Sequence, residues 1–343
     1  MNGKKSQITV FIIAGVVMLI VAGILLTIGG NIKTRKESLY PDALPITRYV
    51  DECVKKFTEE AVSHASAQAG YIYSSQGGSV QDLSQADEGK LYLNYGNRKV
   101  PYVIRRVPTD DNYPWTTFPE LPPPHTGTSY TFPISPSYMQ TYRQLERQIE
   151  AYIEKKMATN ECVNFEADFK QYSIKASKPK TTVTITEKDV FVKLRMPLDA
   201  SELSTGSRFR LKEFTASKPS ALGKFYSIAK VIVEQDNTNF LFNVDEIPEV
   251  RGVSVRIAHD LYNKDDAIVL RDSGTGEQFV FARQNRRPAL SYISGPIEQS
   301  RLSYLRAYDP DEDKLTFSVN GNTVTVSDGQ FEDSQSGITV MQS

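Results

Sequence analysis

Side chains able to do covalent or metal chemistry are scarce in this sequence. It holds three histidines, His64, His125 and His259, and two cysteines, Cys53 and Cys162. The histidines lie far apart and form no short-spaced ligand motif. Neither cysteine has a His beside it and there is no Cys-x-x-Cys, which argues against a nucleophilic thiol or a four-cysteine zinc site. No phosphate-cradling glycine loop, G-x-S-x-G elbow or H-E-x-x-H helix occurs. Neighbouring carboxylates such as Asp51-Glu52 and Asp245-Glu246 point apart on a regular element and read as solvated. The remaining oxygen chemistry sits in Asp309-Pro310-Asp311-Glu312-Asp313, where Asp309, Asp311 and Asp313 could gather a hard cation such as Ca²⁺. The alternative is a solvated acidic turn. The reading is therefore not an enzyme, with calcium as the single candidate cofactor.

Composition agrees with a folded, multi-part chain. Of 343 residues, 40% are apolar and 24% charged, enough to build cores across about two or three domains. Forty basic residues against 41 acidic ones leave a net charge of -1. That balance gives no reason to expect nucleic acid as a partner.

Residues 8–30, ITVFIIAGVVMLIVAGILLTIGG, contain no charge. As a helix they would reach about 34 Å, enough to cross a hydrocarbon layer of about 30 Å. We expect a retained single-pass helix, in membrane lipid or in the apolar core of a filament. A buried core helix and a cleaved leader are the alternatives. Ala14, Gly15, Ala22 and Gly23 share one face and permit close helix approach, so a homo-oligomer is expected. Flanking charge is nearly even, with Lys4 and Lys5 before and Lys33, Arg35 and Lys36 after.

Further along, Ile46, Val50, Cys53, Val54, Phe57 and Ala61 recur at helical spacing, up to Gly70. Residues 74–90 read as a loop. KLYLNYG and KVPYVIRRV read as strands turning at Gly96-Asn97. The proline-dense stretch 107–136, with Trp115, excludes helix and central strand and reads as a linker. Ser135-Pro136 would open a second helix carrying Tyr138, Tyr142, Leu145, Ile149 and Tyr152. If the two helices pack together, Cys53 and Cys162 can form one disulfide. A hairpin then turns at Glu187-Lys188-Asp189, followed by the strand SRFRLKEF. A third helix covers Pro219 to about Asp236, and three more strands end near residue 284. The fold class expected is an α+β body of antiparallel sheets and amphipathic helices, with a C-terminal β-sandwich. The divisions are 1–36, 37–284 (with parts 37–177 and 178–284) and 285–343.

Two segments resemble known families. Lys4-Lys5-Ser6, Gln7 and Thr9 ahead of the apolar run resemble an archaeal class III (type IV pilin-like) signal, with Phe11 where those segments carry Glu. Asn285-Arg286-Arg287-Pro288-Ala289-Leu290, then Ala307-Tyr308-Asp309-Pro310-Asp311-Glu312-Asp313-Lys314-Leu315-Thr316-Phe317, resemble a prokaryotic cadherin-like or immunoglobulin-like repeat. Phe331-Glu332-Asp333 and Ser336-Gly337-Ile338-Thr339 continue the likeness. Glu312 stands where that pattern has Gly. About five strands are expected from 285–343 against about seven in the pattern, so a strand from 250–284 or from a neighbouring subunit would complete the sandwich. These resemblances imply an archaeal surface protein with its body outside the cell. The expected role is a structural or assembly subunit of a filament, tube or pilus-like appendage. A membrane-anchored adhesion or binding protein is the alternative, and an exported hydrolase a third reading.

Overall fold

The computed structural model describes residues 43–80, 92–105, 139–159, 161–238 and 242–341. The apolar run 8–30 with Ala14, Gly15, Ala22 and Gly23, the proline-dense stretch and Ser135-Pro136 lie outside these residues. Among the described residues no helix is long and apolar enough to cross a membrane. The chain divides into two compact units, Met1–Thr47 and Arg48–Ser343. In the first, the described part is the start of helix α1, where the Thr47 hydroxyl donates to the Ala43 carbonyl at 2.9 Å.

Helix α1 spans Leu44–Ala67. Val50, Cys53, Val54, Phe57 and Ala61 are all buried, so the apolar stripe legible in the sequence is its inner face. Its end is set by left-handed backbone at Ala69 (φ 52°) and Gly70 (φ 91°). The Gly70 N–H then reaches back to the Ala65 carbonyl at 2.7 Å, satisfying an orphan carbonyl of the last turn. Helix α2 spans Tyr142–Ala158 and buries Leu145, Ile149, Tyr152, Ile153 and Met157. It starts later than Ser135-Pro136 suggests. Thr141 is the N-cap, accepting from the Gln144 N–H at 3.2 Å while the Gln144 side chain accepts from the Thr141 N–H at 2.8 Å. This reciprocal pair satisfies two orphan groups at once. Helix α3 covers Leu222–Thr238, with Leu222, Phe225, Ala229, Ile232 and Val233 buried.

Two larger sheets pack with these helices. One holds β1 (Tyr92–Tyr95), β2 (Arg98–Ile104), β7 (Val253–Tyr262), β8 (Asp265–Asp272) and β9 (Gln278–Arg283), in the order β1-β2-β9-β8-β7. All neighbours in it are antiparallel except β2 and β9. The other is built on the long strand β5 (Asp189–Glu202), with β3 (Tyr172–Ala176), β4 (Lys180–Ile185) and β6 (Arg208–Pro219) antiparallel to it. Strand alternation buries Val183, Val190, Val192, Leu194 and Leu198 and turns the intervening residues to solvent. The chain is thus a mixed α+β fold with mostly antiparallel sheets.

Residues 289–341 form seven short strands, β10 (Ala289–Leu290), β11 (Ile297–Glu298), β12 (Ala307–Tyr308), β13 (Thr316–Asn320), β14 (Thr323–Ser327), β15 (Glu332–Gln335) and β16 (Val340–Met341). They pair as β10-β12, β11-β16 and β13-β14-β15 around Leu290, Val324, Val326 and Ile338. Every ladder partner recorded for these strands lies inside the segment. The strand expected from residues 250–284 is therefore not used. Short pairings at β10, β11, β12 and β16, too brief for periodicity to reveal, fill that place.

Cys53 of α1 and Cys162 are joined in a disulfide, with Cα atoms 5.8 Å apart. Next to it the Tyr49 hydroxyl sits between the Cys162 carbonyl and the Asp168 carboxylate, and accepts from the Asn164 N–H at 3.1 Å. The Tyr49 ring meets Phe169 edge-on at 5.3 Å. The segment after α2 is thereby fastened to α1 by a covalent bond, a polar anchor and an aromatic contact.

Candidate functional site

The densest chemistry lies where β9 runs into residues 285–313. Arg283, the last residue of β9, is fully buried, and Arg286 is 2% exposed. Three elements supply carboxylates to them: Asp236 from α3, Asp266 from β8 and Asp311 from the turn after β12. Arg283 lies 3.0 Å from Asp236, 2.7 Å from Asp266 and 3.2 Å from Asp311. Arg286 lies 2.8 Å from Asp311 and 2.9 Å from Asp236, and its guanidinium also donates to the Asp236 and Pro310 carbonyls. Two guanidinium forks thus share three carboxylates in a dry environment. Burial opposes the charge of Arg283, but Asp311, Asp236 and Asp266 outweigh it and hold the side chain above its ordinary pKa. Asp266 is raised by its own burial, with Arg283 acting against that.

A second set of acids adjoins the first. One carboxylate oxygen from each of Asp309, Asp313 and Asp328 falls within 4.8 Å of the others. Local turn chemistry places them. Asp309 accepts from the Asp311 and Asp313 N–H groups at 2.8 and 3.1 Å, while Asp328 accepts from the Gln330 and Phe331 N–H groups, both at 2.6 Å. These are the local side-chain-to-backbone bonds that make Asp a turn residue. The β7–β8 hairpin brings in a cation. Its two-residue turn, Asn263-Lys264, has both residues in the left-handed region (φ 46° and 61°), as a tight turn of this kind requires. Lys264 Nζ then stands 3.3 Å from Asp313.

Burial, then the repulsion of Asp311 and Asp313, pushes Asp309 up to about 8. Asp313 is pushed up to about 6, again by burial first, with Lys264 opposing. Burial thus favours the protonated form of Asp309, while Asp313 has a neighbouring ammonium in Lys264. Asp309 Oδ2 and Asp313 Oδ2 are buried and accept no hydrogen bond, the kind of oxygen a cation would take. Two such oxygens, with a third from Asp328 that already accepts hydrogen bonds, fall short of the six to eight that Ca²⁺ takes, and Lys264 already pairs with Asp313.

Of the three acids singled out in the sequence, the structure brings Asp309 and Asp313 together. Asp311 turns instead to Arg283 and Arg286, and Asp328 stands in its place. Nothing in the sequence marks Asp328, Arg283 or Lys264 for these positions. His259 bridges Asp245 at 3.1 Å and Asp266 at 3.4 Å. Its burial disfavours the charged form, yet Asp245 and Asp266 together hold its pKa above the ordinary value. His64 is lowered by burial, with Arg98 reinforcing the effect, and its ring lies tilted against Tyr152 with centroids 5.9 Å apart.

A separate groove of about 840 Å³ runs between α1, the β1–β2 hairpin and the β8–β9 turn, with Ser63, Ser66, Arg98, Lys218 and Glu277 in its wall. Glu277 is already committed there. It pairs with Lys218 and accepts from the Ser220 hydroxyl at 2.9 Å and the Ala221 N–H at 2.8 Å. The described groups thus form ion pairs and caps that hold elements together. No protein-family model matches the chain, and no curated protein and no solved structure is significantly similar to it.

Proposed function

We propose that this chain is a structural or assembly subunit of an archaeal cell-surface appendage, held by the hydrophobic helix of residues 8–30 in lipid or in a filament core. The observation that carries the reading is the Cys53–Cys162 disulfide, which suits an oxidising compartment. It lies downstream of a 23-residue run without charge, so export with retention is the simplest account of both. The buried ion pairs between β8, β9, α3 and Asp311 tie elements together and support a structural rather than a catalytic role. The strands of 289–341 around Leu290 and Val324 support reading 285–343 as an immunoglobulin-like module, in line with its Asn-x-x-Pro-x-Leu and Asp-Pro-Asp segments. Immunogold electron microscopy of intact cells, with antibody to the body, is the test. Label along extracellular fibres is the expected result. Absence of surface label would reject the reading.

A second reading, a membrane-anchored adhesion or binding protein, is favoured by one feature. Helix carboxylates take three N–H groups along β4 and one, Thr215, on β6, which hinders strand addition to a monomer. Diffuse envelope label without fibres would favour it.

A further inference from the structure

The solvent face of the β3–β6 sheet carries a charge that the chain's overall balance hides. The register sets Lys180 beside Arg195 and Arg195 beside Glu213 in one row across the sheet. Another row sets Lys175, Asp199 and Arg210 side by side, and Ser201 meets Arg208 beyond it. Lys193 pairs with Glu213 at 2.9 Å and Arg210 with Asp199 at 3.2 Å. That leaves Lys175, Lys180, Arg195 and Arg208 exposed, with no acidic partner for them among the described residues. Lys178 adds a further cation at the rim.

The face has relief. Lys178, Lys180 and Arg195 line one shallow trough of about 630 Å³, and Lys175 and Arg208 line a second of about 660 Å³. The troughs follow one another along β5, their centres about 17 Å apart for about five residues of strand. Each also presents hydroxyl groups, Ser177 and Thr182 in the first, Ser173 and Ser201 in the second.

We propose that this face binds an anionic polysaccharide laid along β5. Such a polymer offers repeating carboxylates or sulfates for the cations and ring hydroxyls for Ser and Thr. A single-stranded nucleic acid needs aromatic side chains on which bases stack, and the exposed large aromatic on this sheet is Phe191 alone. A wide anionic surface, such as a bilayer or a DNA duplex, would overrun the sheet edges. There it would meet Glu154 of α2 on one side, beside Glu146 and Glu150 that share the single cation Arg143, and Asp51 of α1 on the other. A narrow chain avoids both borders. The proposal stands independently of whether the protein forms fibres.

The test uses the full chain in detergent with four probes: dextran sulfate, polygalacturonate, duplex DNA and phosphatidylglycerol vesicles. Saturable binding of one or both polysaccharides is expected, weakening as salt rises from about 50 to about 500 mM. Lys180→Gln/Arg195→Gln and Lys175→Gln/Arg208→Gln should each weaken binding about tenfold, because each removes two unpaired charges from one trough. Lys55→Gln/Lys56→Gln, on the exposed side of α1, should leave it unchanged. All these side chains are exposed, so thermal melting should not move. The proposal is overturned if neither polysaccharide binds, or if both trough variants bind like the parent. Preference for DNA or vesicles, lost in the trough variants, would equally overturn it and reassign the face to that partner.

Discussion

Arg283 and Arg286 illustrate how a buried charge is tolerated, and at what risk. Each guanidinium meets two or three carboxylates, and those carboxylates have little access to water. Removing one partner leaves the others buried and uncompensated, which typically costs about 3–5 kcal/mol. Arg286→Ala should therefore lower unfolding free energy by about that amount in urea titrations. A loss below about 1 kcal/mol would mean that Asp311 and Asp236 relax or hydrate freely. Asp309 makes the complementary case. Its folded pKa, near 8, lies above the ordinary carboxylate value, so the folded state binds the proton more tightly than the unfolded chain. Between about pH 4 and pH 8 the folded state thus holds more of this proton, and the contribution of Asp309 to stability falls as pH rises through that window. Asp309→Asn mimics the protonated form and can still accept from the Asp311 and Asp313 N–H groups. The variant should flatten this fall and melt higher than the parent at pH 8 in chelator. An unchanged pH profile would show that Asp309 is ionised throughout. If instead Ca²⁺ raises the melting temperature of the parent and not of Asp309→Asn, the three acids do hold a cation. The acids at 309 and 313 were legible in the sequence because turn-forming Asp residues cluster visibly. Asp328 and Lys264 were not, because the hairpins that deliver them are placed by tertiary contacts.

Helix α2 acts on its neighbouring strand in a way that periodicity conceals. Glu146, Glu150 and Glu154 recur every four residues, about 6 Å along a helix. The N–H groups of Ile185, Val183 and Thr181 recur every second residue, about 6.7 Å along β4. The near match lets each carboxylate take one outward-pointing N–H, at 3.4, 3.1 and 2.6 Å in turn. On the far side of the sheet, Asp51 of α1 accepts from the Thr215 N–H of β6 at 3.0 Å. In the sequence these acids look like an ordinary solvated helix face, whereas the apolar stripes of α1, α2 and α3 were plain. The start of α2 was misplaced because Ser-Pro and Thr-x-x-Gln are both valid openings, and local chemistry alone does not rank them. Glu150→Ala should expose the Val183 N–H and cost about 1–2 kcal/mol, while Glu150→Gln, whose amide oxygen still accepts, should cost less. An uncapped edge also invites strand addition, so the Ala variant should self-associate more readily in light scattering. Equal stability of the two variants would show that the charge of Glu150, which also pairs with Arg143 at 2.9 Å, matters more than the hydrogen bond to Val183. Gly223 marks another tight element contact. A Cβ there would stand 2.2 Å from the Thr186 carbonyl, so Gly223→Ala should separate α3 from the β4–β5 hairpin and lower the melting temperature.

At the scale of the second unit, two devices tie distant parts of the chain together. The disulfide joins positions 109 residues apart and is worth roughly 2–5 kcal/mol by restricting the unfolded chain. The pairing was legible because only two cysteines exist and both fall at helices that pack. The arginine network was not: a strand ending near residue 284 was visible, but burial of its last residue, Arg283, depends on parts far along the chain. That network has a consequence for cooperativity. Asp236, Asp266 and Arg283 belong to the helix and sheet preceding residue 285, while Arg286 and Asp311 belong to the segment after it. Were the strands of 289–341 to open alone, Arg283 would lose Asp311 and Asp236 would lose Arg286, leaving charges poorly matched in a largely closed site. Partial opening is therefore disfavoured beyond the loss of its apolar contacts, and both segments should unfold in one transition. Hydrogen exchange followed by mass spectrometry across a urea series provides the measurement. Peptides from 265–283 and from 316–335 should lose protection at the same denaturant concentration, and calorimetric and van't Hoff enthalpies should agree. The paired replacement Arg286→Met/Asp311→Leu removes one charge of each sign and cuts the link. In that variant the two sets of peptides should part, with 316–335 opening first. Two separate transitions in the parent protein would refute the coupling.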